Sequence, residues 1–303
     1  MSDSVKKVAL LGADGKLGPA VLDTLVAKGF QVTVLKRASS KSEDTYPKGV
    51  EVVRIQDDFP IDVVANNLSG QDAMIVTIKG SQTEIQYRLA QACVKAGVKR
   101  LIPADFGSCD SSSPKAQELV PLFKRKTELR DQLMDLGKDS KSFSWTSLVC
   151  GHFFDWSLEF LHIYLKERKA DILDDGETKW SASTLSRIAE ATVRILQNLD
   201  ATSNKMIYIQ SFCISQNQVI KAYEKATGSS WEVTKYDSEK YEKEEKRKAD
   251  DGDLEAVENL VWLLGALDAN WESKENFAMK TLGLEDEDMH AAVEEVVKRE
   301  SKQ

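Results

Sequence analysis

Gly12-Ala13-Asp14-Gly15-Lys16-Leu17-Gly18 sets three glycines at three-residue spacing between an apolar run, residues 8–11, and a helical pattern that stops at Gly29. A strand that turns through glycines directly into a helix has few uses. Gly12 lets the backbone turn sharply, Gly15 admits a bulky anion beside the chain, and Gly18 lets helix pack on strand. The start of the helix then offers free N–H groups and a partial positive charge. A pyrophosphate suits such a loop, with Asp14, Lys16 and Leu17 beside it. Asp14 is the discordant member, because a carboxylate opposes an anionic ligand. Lys16 is the cation expected to offset it.

The rest of the first half alternates short apolar runs (residues 31–35, 50–55, 73–78, 100–103 and 143–150) with helical patterns, one of which ends near Gly97. Such alternation predicts βαβ units in a doubly wound parallel sheet, an α/β Rossmann fold with right-handed crossovers. The second half reads differently: a helix at 183–199, a strand at 205–211 and a helix at 215–227. Ser215 and Gln218 have capping-box spacing there, and Gly228 follows the helix. The run 238–251 is dense in both signs of charge and reads as a solvated helix. The pattern predicts a dinucleotide-binding domain over 1–151 and a smaller α+β lobe over 152–303. That lobe mainly serves substrate and is interleaved with the first domain rather than independent.

A formal net charge of −8 argues against a general nucleic-acid surface. No stretch approaches the roughly 18 apolar residues that span a bilayer, and residues 1–4 carry no apolar signal region. Cys93, Cys109, Cys150 and Cys213 lie far apart without a CxxC pair, which suits a reducing compartment. The tripeptide Ser301-Lys302-Gln303 only half resembles a peroxisomal signal. These features predict a cytoplasmic protein that acts on a small molecule, as a monomer or a homodimer.

The end of the second strand reads Lys36-Arg37-Ala38-Ser39-Ser40-Lys41, where an NAD enzyme usually carries an acidic residue. Arg37 can fork onto a 2′-phosphate, with Lys41 and Ser39 assisting, so the expected cofactor is NADP(H). Thr77-Ile78-Lys79-Gly80, past the fourth strand, supplies another wall, with Ile78 and Lys79 as contacts. Farther on, Leu119, Leu122, Leu129, Leu133 and Leu136 form an apolar helical stripe whose missing member is Lys126. A lysine there is either a proton-transfer group tuned by burial or a structural lysine paired with a carboxylate such as Asp105. Periodicity leaves both open. The Tyr-x-x-x-Lys pair of ordinary short-chain dehydrogenases is absent, since residue 122 is Leu. No GxSxG elbow occurs, and His152, His162 and His290 lack metal-ligand spacing.

These residues resemble the atypical short-chain reductases of the NmrA-like group, especially the isoflavone, pinoresinol–lariciresinol and phenylcoumaran benzylic ether reductases. The resemblance rests on Gly12 to Gly18, on Arg37, on Val98-Lys99-Arg100-Leu101-Ile102-Pro103-Ala104-Asp105-Phe106-Gly107, and on Phe123-Lys124-Arg125-Lys126-Thr127-Glu128-Leu129-Arg130. Gly176-Glu177-Thr178-Lys179-Trp180 is similar to a later segment, and Gly151-His152-Phe153-Phe154-Asp155-Trp156 looks like fungal members. The resemblance implies that Lys126 is the catalytic lysine, also beside the cofactor, and that Phe153 lies near the nicotinamide. His152 and Phe154 are the expected substrate-side residues. Gly151 stands where plant members carry Asn, and Ala104-Asp105 replaces Ser-Glu, which separates this chain from the plant substrates. Two functions follow: an NADPH-dependent reductase of an aromatic carbonyl, enone or benzylic ether, or an NADP(H)-sensing regulator without reductase activity.

Overall fold

A computed structural model describes residues 4–140 and 142–301. Residues 1–3 and 302–303, on which parts of the leader and tripeptide readings fell, lie outside the described residues. To residue 149 the elements are β1 (Lys7–Leu11), α1 (Gly18–Ala27), β2 (Gln31–Arg37), β3 (Glu51–Ile55), α2 (Ile61–Asn67), β4 (Ala73–Val76), α3 (Thr83–Ala96), β5 (Arg100–Ile102), α4 (Pro114–Leu119), α5 (Pro121–Asp139) and β6 (Ser144–Val149). There follow the strands β7 (His152–Phe153), β8 (Ile163–Tyr164), β9 (Lys169–Leu173) and β10 (Trp180–Ser183), then α6 (Leu185–Gln197), β11 (Lys205–Tyr208), β12 (Phe212–Ile214), α7 (Gln216–Thr227) and β13 (Glu232–Tyr236). The chain closes with α8 (Ser238–Asp250), α9 (Leu254–Leu267), α10 (Met279–Leu282) and α11 (Met289–Glu300).

Seven parallel strands form the main sheet in the order β11-β6-β5-β4-β1-β2-β3. The central strands are buried almost throughout, as a sheet covered on both faces requires. Side chains alternate along β1. Val8 and Leu10 pack with Val21 and Leu25 of α1 and Ile188 of α6, while Ala9 and Leu11 pack with Leu89 and Cys93 of α3 and Leu129 of α5. Both α6 and β11 come from the second half, so a cut at residue 151 would divide the main sheet and one of its helical layers. Arg100 fastens this return. Its fully buried guanidinium donates to Ser144 and Thr146 on β6, and to the Thr202 hydroxyl (2.8 Å) and Leu199 carbonyl (2.6 Å) just before β11.

The remainder of the second half builds two three-stranded sheets, β12-β10-β7 and β13-β9-β8, over a core that includes Phe154, Trp180, Phe212 and Trp271. These strands run from two to five residues, too short to print an alternating pattern on the sequence. The charged run folds as α8 with close ion pairs such as Lys246–Asp250 and Lys248–Glu244. Ser215 and Gln218 form a reciprocal capping box, and Gly228 closes α7 in the left-handed region. The leucine stripe is corrected in one respect: Pro121 starts a new helix, so Leu119 belongs to α4 and the buried face of α5 is Phe123, Lys126, Leu129, Arg130 and Leu133.

Strand order reverses between β1 and β4. The crevice at their C-terminal ends is where open α/β sheets bind ligands. The glycine loop, Arg37, Thr77 to Gly80, and Asp105 all leave the sheet at that edge.

Candidate active site

Gly12 has φ +98°, and a Cβ there would lie 2.8 Å from the Thr77 carbonyl carbon and hydroxyl, so glycine is required at this crossing. The Thr77 hydroxyl donates to the Gly12 carbonyl at 2.9 Å, tying the loop to the end of β4. Gly18 is held closer still. A Cβ there would stand 2.1 Å from the Gly12 carbonyl oxygen. The loop is therefore bare backbone on its inner side, and Leu17 is buried beneath it.

Around this loop lie exposed cations, one of which, Arg37, also acts on the Asp57 carboxylate that accepts from the Ser39 N–H and hydroxyl. Lys16, Arg37, Lys41 and Lys79 are exposed, and among the described residues none forms an ion pair. Lys36, by contrast, is buried and turned away from solvent. Its ammonium lies 3.1 Å from Asp14 and 2.8 Å from Asp44, and donates to the Ser42 and Glu43 carbonyls. Burial works against its charge, yet the bonds to Asp44, Tyr46 and Asp14 outweigh it and hold the ammonium above the usual lysine range. Tyr46 and Ser42 also donate to Asp14. Burial opposes the Asp14 charge, and these hydroxyls together with Lys36 still hold its carboxyl below the usual range. The expectation that Lys16 offsets Asp14 is thus corrected: Lys36 does so, while Lys16 lies over the Trp156 ring, 5.5 Å from its centre. The network stitches the segment after β2 onto the glycine loop.

Lys126 lies across the crevice from that end, at the mouth between β4 and β5. It is 8% exposed, which for a lysine demands partners. Its Nζ donates to the Asp105 carbonyl at 2.5 Å and stands 3.3 Å from Asp105 Oδ1. A Cβ on Gly80 would come within 3.0 Å of Lys126 Cε, so the end of β4 is shaped around this side chain. Asp105 is buried, which disfavours its charge, but Lys126, Arg130 and the Ser147 hydroxyl hold its carboxyl below the usual range. The expected pairing of Lys126 with Asp105 is thus present. Arg130 escaped the sequence reading, although its position one turn beyond Lys126 was the available signal.

The residues after β6 divide. Phe153 is half-buried and meets Trp156 edge-on at 6.2 Å, on the side of the glycine loop marked by Lys16. Trp156 is 38% exposed, whereas Trp180 is a core residue. Phe154, expected on the substrate side, is fully buried in the second lobe, 4.7 Å edge-on to Phe212, because successive residues of β7 and its extension point to opposite sides. His152, the other residue expected on the substrate side, lies against α9. Its ring is 1% exposed, packs against Gly265 of α9, and has Nε2 within 3.2 Å of the Trp262 carbonyl. Burial pushes its pKa down to about 4, so it is neutral at physiological pH.

No group of three or more His, Cys, Asp or Glu among the described residues is arranged to hold a metal ion. No helix among them is long and apolar enough to cross a membrane.

The solved complex of AtPrR2 with NADP+ and (+)-pinoresinol matches the fold with a TM-score of 0.77 at 19% identity, over 98% of this chain and 100% of that one. Leucoanthocyanidin reductase from Vitis vinifera, in complex with NADPH, matches at 0.77 and 18% identity, over 96% and 99%. In sequence, the chain is 35% identical over 236 residues to the oxidoreductase aprR of Aspergillus flavus, covering 77% of this chain and 78% of that protein. The model of the NmrA-like family matches residues 4–250. Spanning most of the chain, that match joins the loop, the sheet order and the fungal relative in one conclusion: this is an oxidoreductase that belongs to the NmrA-like family.

Proposed function

We propose that the chain is an NADPH-dependent reductase of a small aromatic carbonyl, enone or benzylic-ether compound, with Lys126 as its general acid or base. Lys126 carries this reading: a buried lysine, sculpted around by Gly80, beside a glycine loop ringed with exposed cations.

The chain's own residues fit NADP(H). The bare backbone of Gly12, Gly15 and Gly18 with Leu17 beneath it suits a pyrophosphate, and Lys16 can leave the Trp156 ring to meet the phosphates. Asp14 shares the Lys36 ammonium with Asp44 and accepts from Ser42 and Tyr46, so its charge is engaged within the loop network. Arg37 and Lys41 are free to take a 2′-phosphate, and Ile78 and Lys79 wall the crevice beyond β4. Phe153 flanks the nicotinamide side. When bound, the cofactor supplies the hydride. Lys126 gives a proton to, or takes one from, the substrate oxygen, while the Asp105 carbonyl keeps its Nζ aimed. The aromatic substrate class is supported by the (+)-pinoresinol bound in the AtPrR2 structure and by the aromatic pair Phe153–Trp156.

Residues 1–151 supply the cofactor contacts other than Phe153, and 152–303 most of the substrate side, apart from α6 and β11. Four free cysteines support a cytosolic setting. The test is NADPH oxidation by the purified protein against phenolic enones, quinones, aldehydes and benzylic ethers, beside a binding titration. Turnover of at least one class is expected. Tight NADPH binding without turnover across the panel would favour a cofactor-sensing regulator instead.

A further inference from the structure

Three charged side chains meet behind the crevice with one negative charge among them. Lys126 and Arg130 lie one turn apart on α5, and both face Asp105. The carboxylate accepts hydrogen bonds on one oxygen only. Its Oδ2 accepts from Arg130 at 2.8 Å and from the Ser147 hydroxyl. Arg130 is anchored in turn on the Ser111 hydroxyl at 2.7 Å and the Thr127 hydroxyl at 3.1 Å. Asp105 Oδ1 accepts no hydrogen bond and simply faces Lys126 Nζ at 3.3 Å. The bond that fixes Lys126 runs to a neutral group, the Asp105 carbonyl.

The difference matters for proton transfer. A buried lysine whose only partner is a carboxylate is held as an ammonium, because releasing the proton would strand the negative charge. A lysine fixed by a carbonyl keeps its bond either way, since a neutral amine still donates. Resting on the assignment of Lys126 to proton transfer, we propose that Arg130 is a positioning residue that takes up the charge of Asp105. Lys126 can then release and regain a proton without unbalancing the buried site. With Lys126 protonated the trio carries one net positive charge; once the proton has passed to the substrate oxygen, Arg130 and Asp105 balance, and solvent restores the proton.

The other titratable groups around Lys126 do not disturb this. Burial pushes the Cys109 thiol up to about 12 and the Cys150 thiol higher still, so both stay neutral. Asp110 is ionised but paired with Lys274 at 3.1 Å and with the Tyr208 hydroxyl at 2.9 Å.

The test titrates Lys126 directly by NMR in the full chain carrying isotope-labelled lysine, its signal identified by its loss in Lys126→Arg. Arg130→Gln is expected to raise the midpoint by about one pH unit and Asp105→Asn to lower it by a similar amount. Arg130→Lys, which restores the cation, is expected to stay near wild type. A midpoint that stays put or falls in Arg130→Gln overturns the proposal. Should that variant not fold, Ser111→Ala, which loosens Arg130 without removing it, is expected to move the midpoint upward, and no movement overturns the proposal equally. Turnover that survives Lys126→Ala would remove the catalytic assignment while leaving these shifts intact, so the two failures are told apart.

Discussion

Arg37 and Lys126 mark the two ends of the proposed crevice, and each was legible in the sequence for a local reason. Arg37 ends a strand at the place where cofactor choice is read, and Lys126 interrupts a row of leucines. Arg37→Ala is expected to weaken NADPH binding by about tenfold to a hundredfold, the range for losing a charge-assisted contact, and to leave NADH binding unchanged. Fluorescence titration with both nucleotides checks this; equal weakening of both would place Arg37 away from the 2′-phosphate. The partner of Asp14 was not legible. Lys36 reaches it because β2 pairs beside β1, and Tyr46 because the segment after β2 folds back over the glycine loop; spacing along the chain encodes neither.

Among the elements, the turn from β1 into α1 is the most tightly constrained. In Gly18→Ala the new Cβ would overlap the Gly12 carbonyl, so α1 must back away from the strand. Strain of this kind costs about 1–3 kcal/mol, and the variant is expected to lose that much stability along with cofactor affinity. Chemical denaturation and nucleotide titration measure both; wild-type values in the pair would mean that the loop is not shaped as described. The parallel strands were visible in advance as continuous apolar runs, and α7 through its capping box and closing glycine. The short strands β7 to β10, β12 and β13 were not, and neither was the break at Pro121, where two helices abut without a loop of turn residues.

For the molecule as a whole, the second half both completes the main sheet through β11 and raises its own core around His152. Folded His152 stays neutral down to about pH 4, whereas an exposed imidazole gains a proton near 6.5. The unfolded chain therefore binds the extra proton between those values. This contribution to stability is fully present above pH 6.5 and drains away as pH falls toward 4, amounting to roughly 3 kcal/mol. His152→Gln is expected to abolish that part of the acid sensitivity, seen as a flatter dependence of unfolding free energy on pH than in wild type. Identical pH profiles would show that the ring is not buried as neutral imidazole. The burial of His152 is a tertiary property, set by α9 closing over β7 from more than 100 residues away in sequence.

The most direct measurement compares wild type and Lys126→Ala for NADPH binding and for turnover of a substrate found in the panel. Turnover is expected to fall by about a hundredfold to ten-thousandfold, the usual worth of a positioned acid or base, with NADPH affinity unchanged. Full turnover in the variant would contradict the central claim, and loss of turnover only in step with NADPH affinity would make Lys126 a binding residue rather than the proton-transfer group.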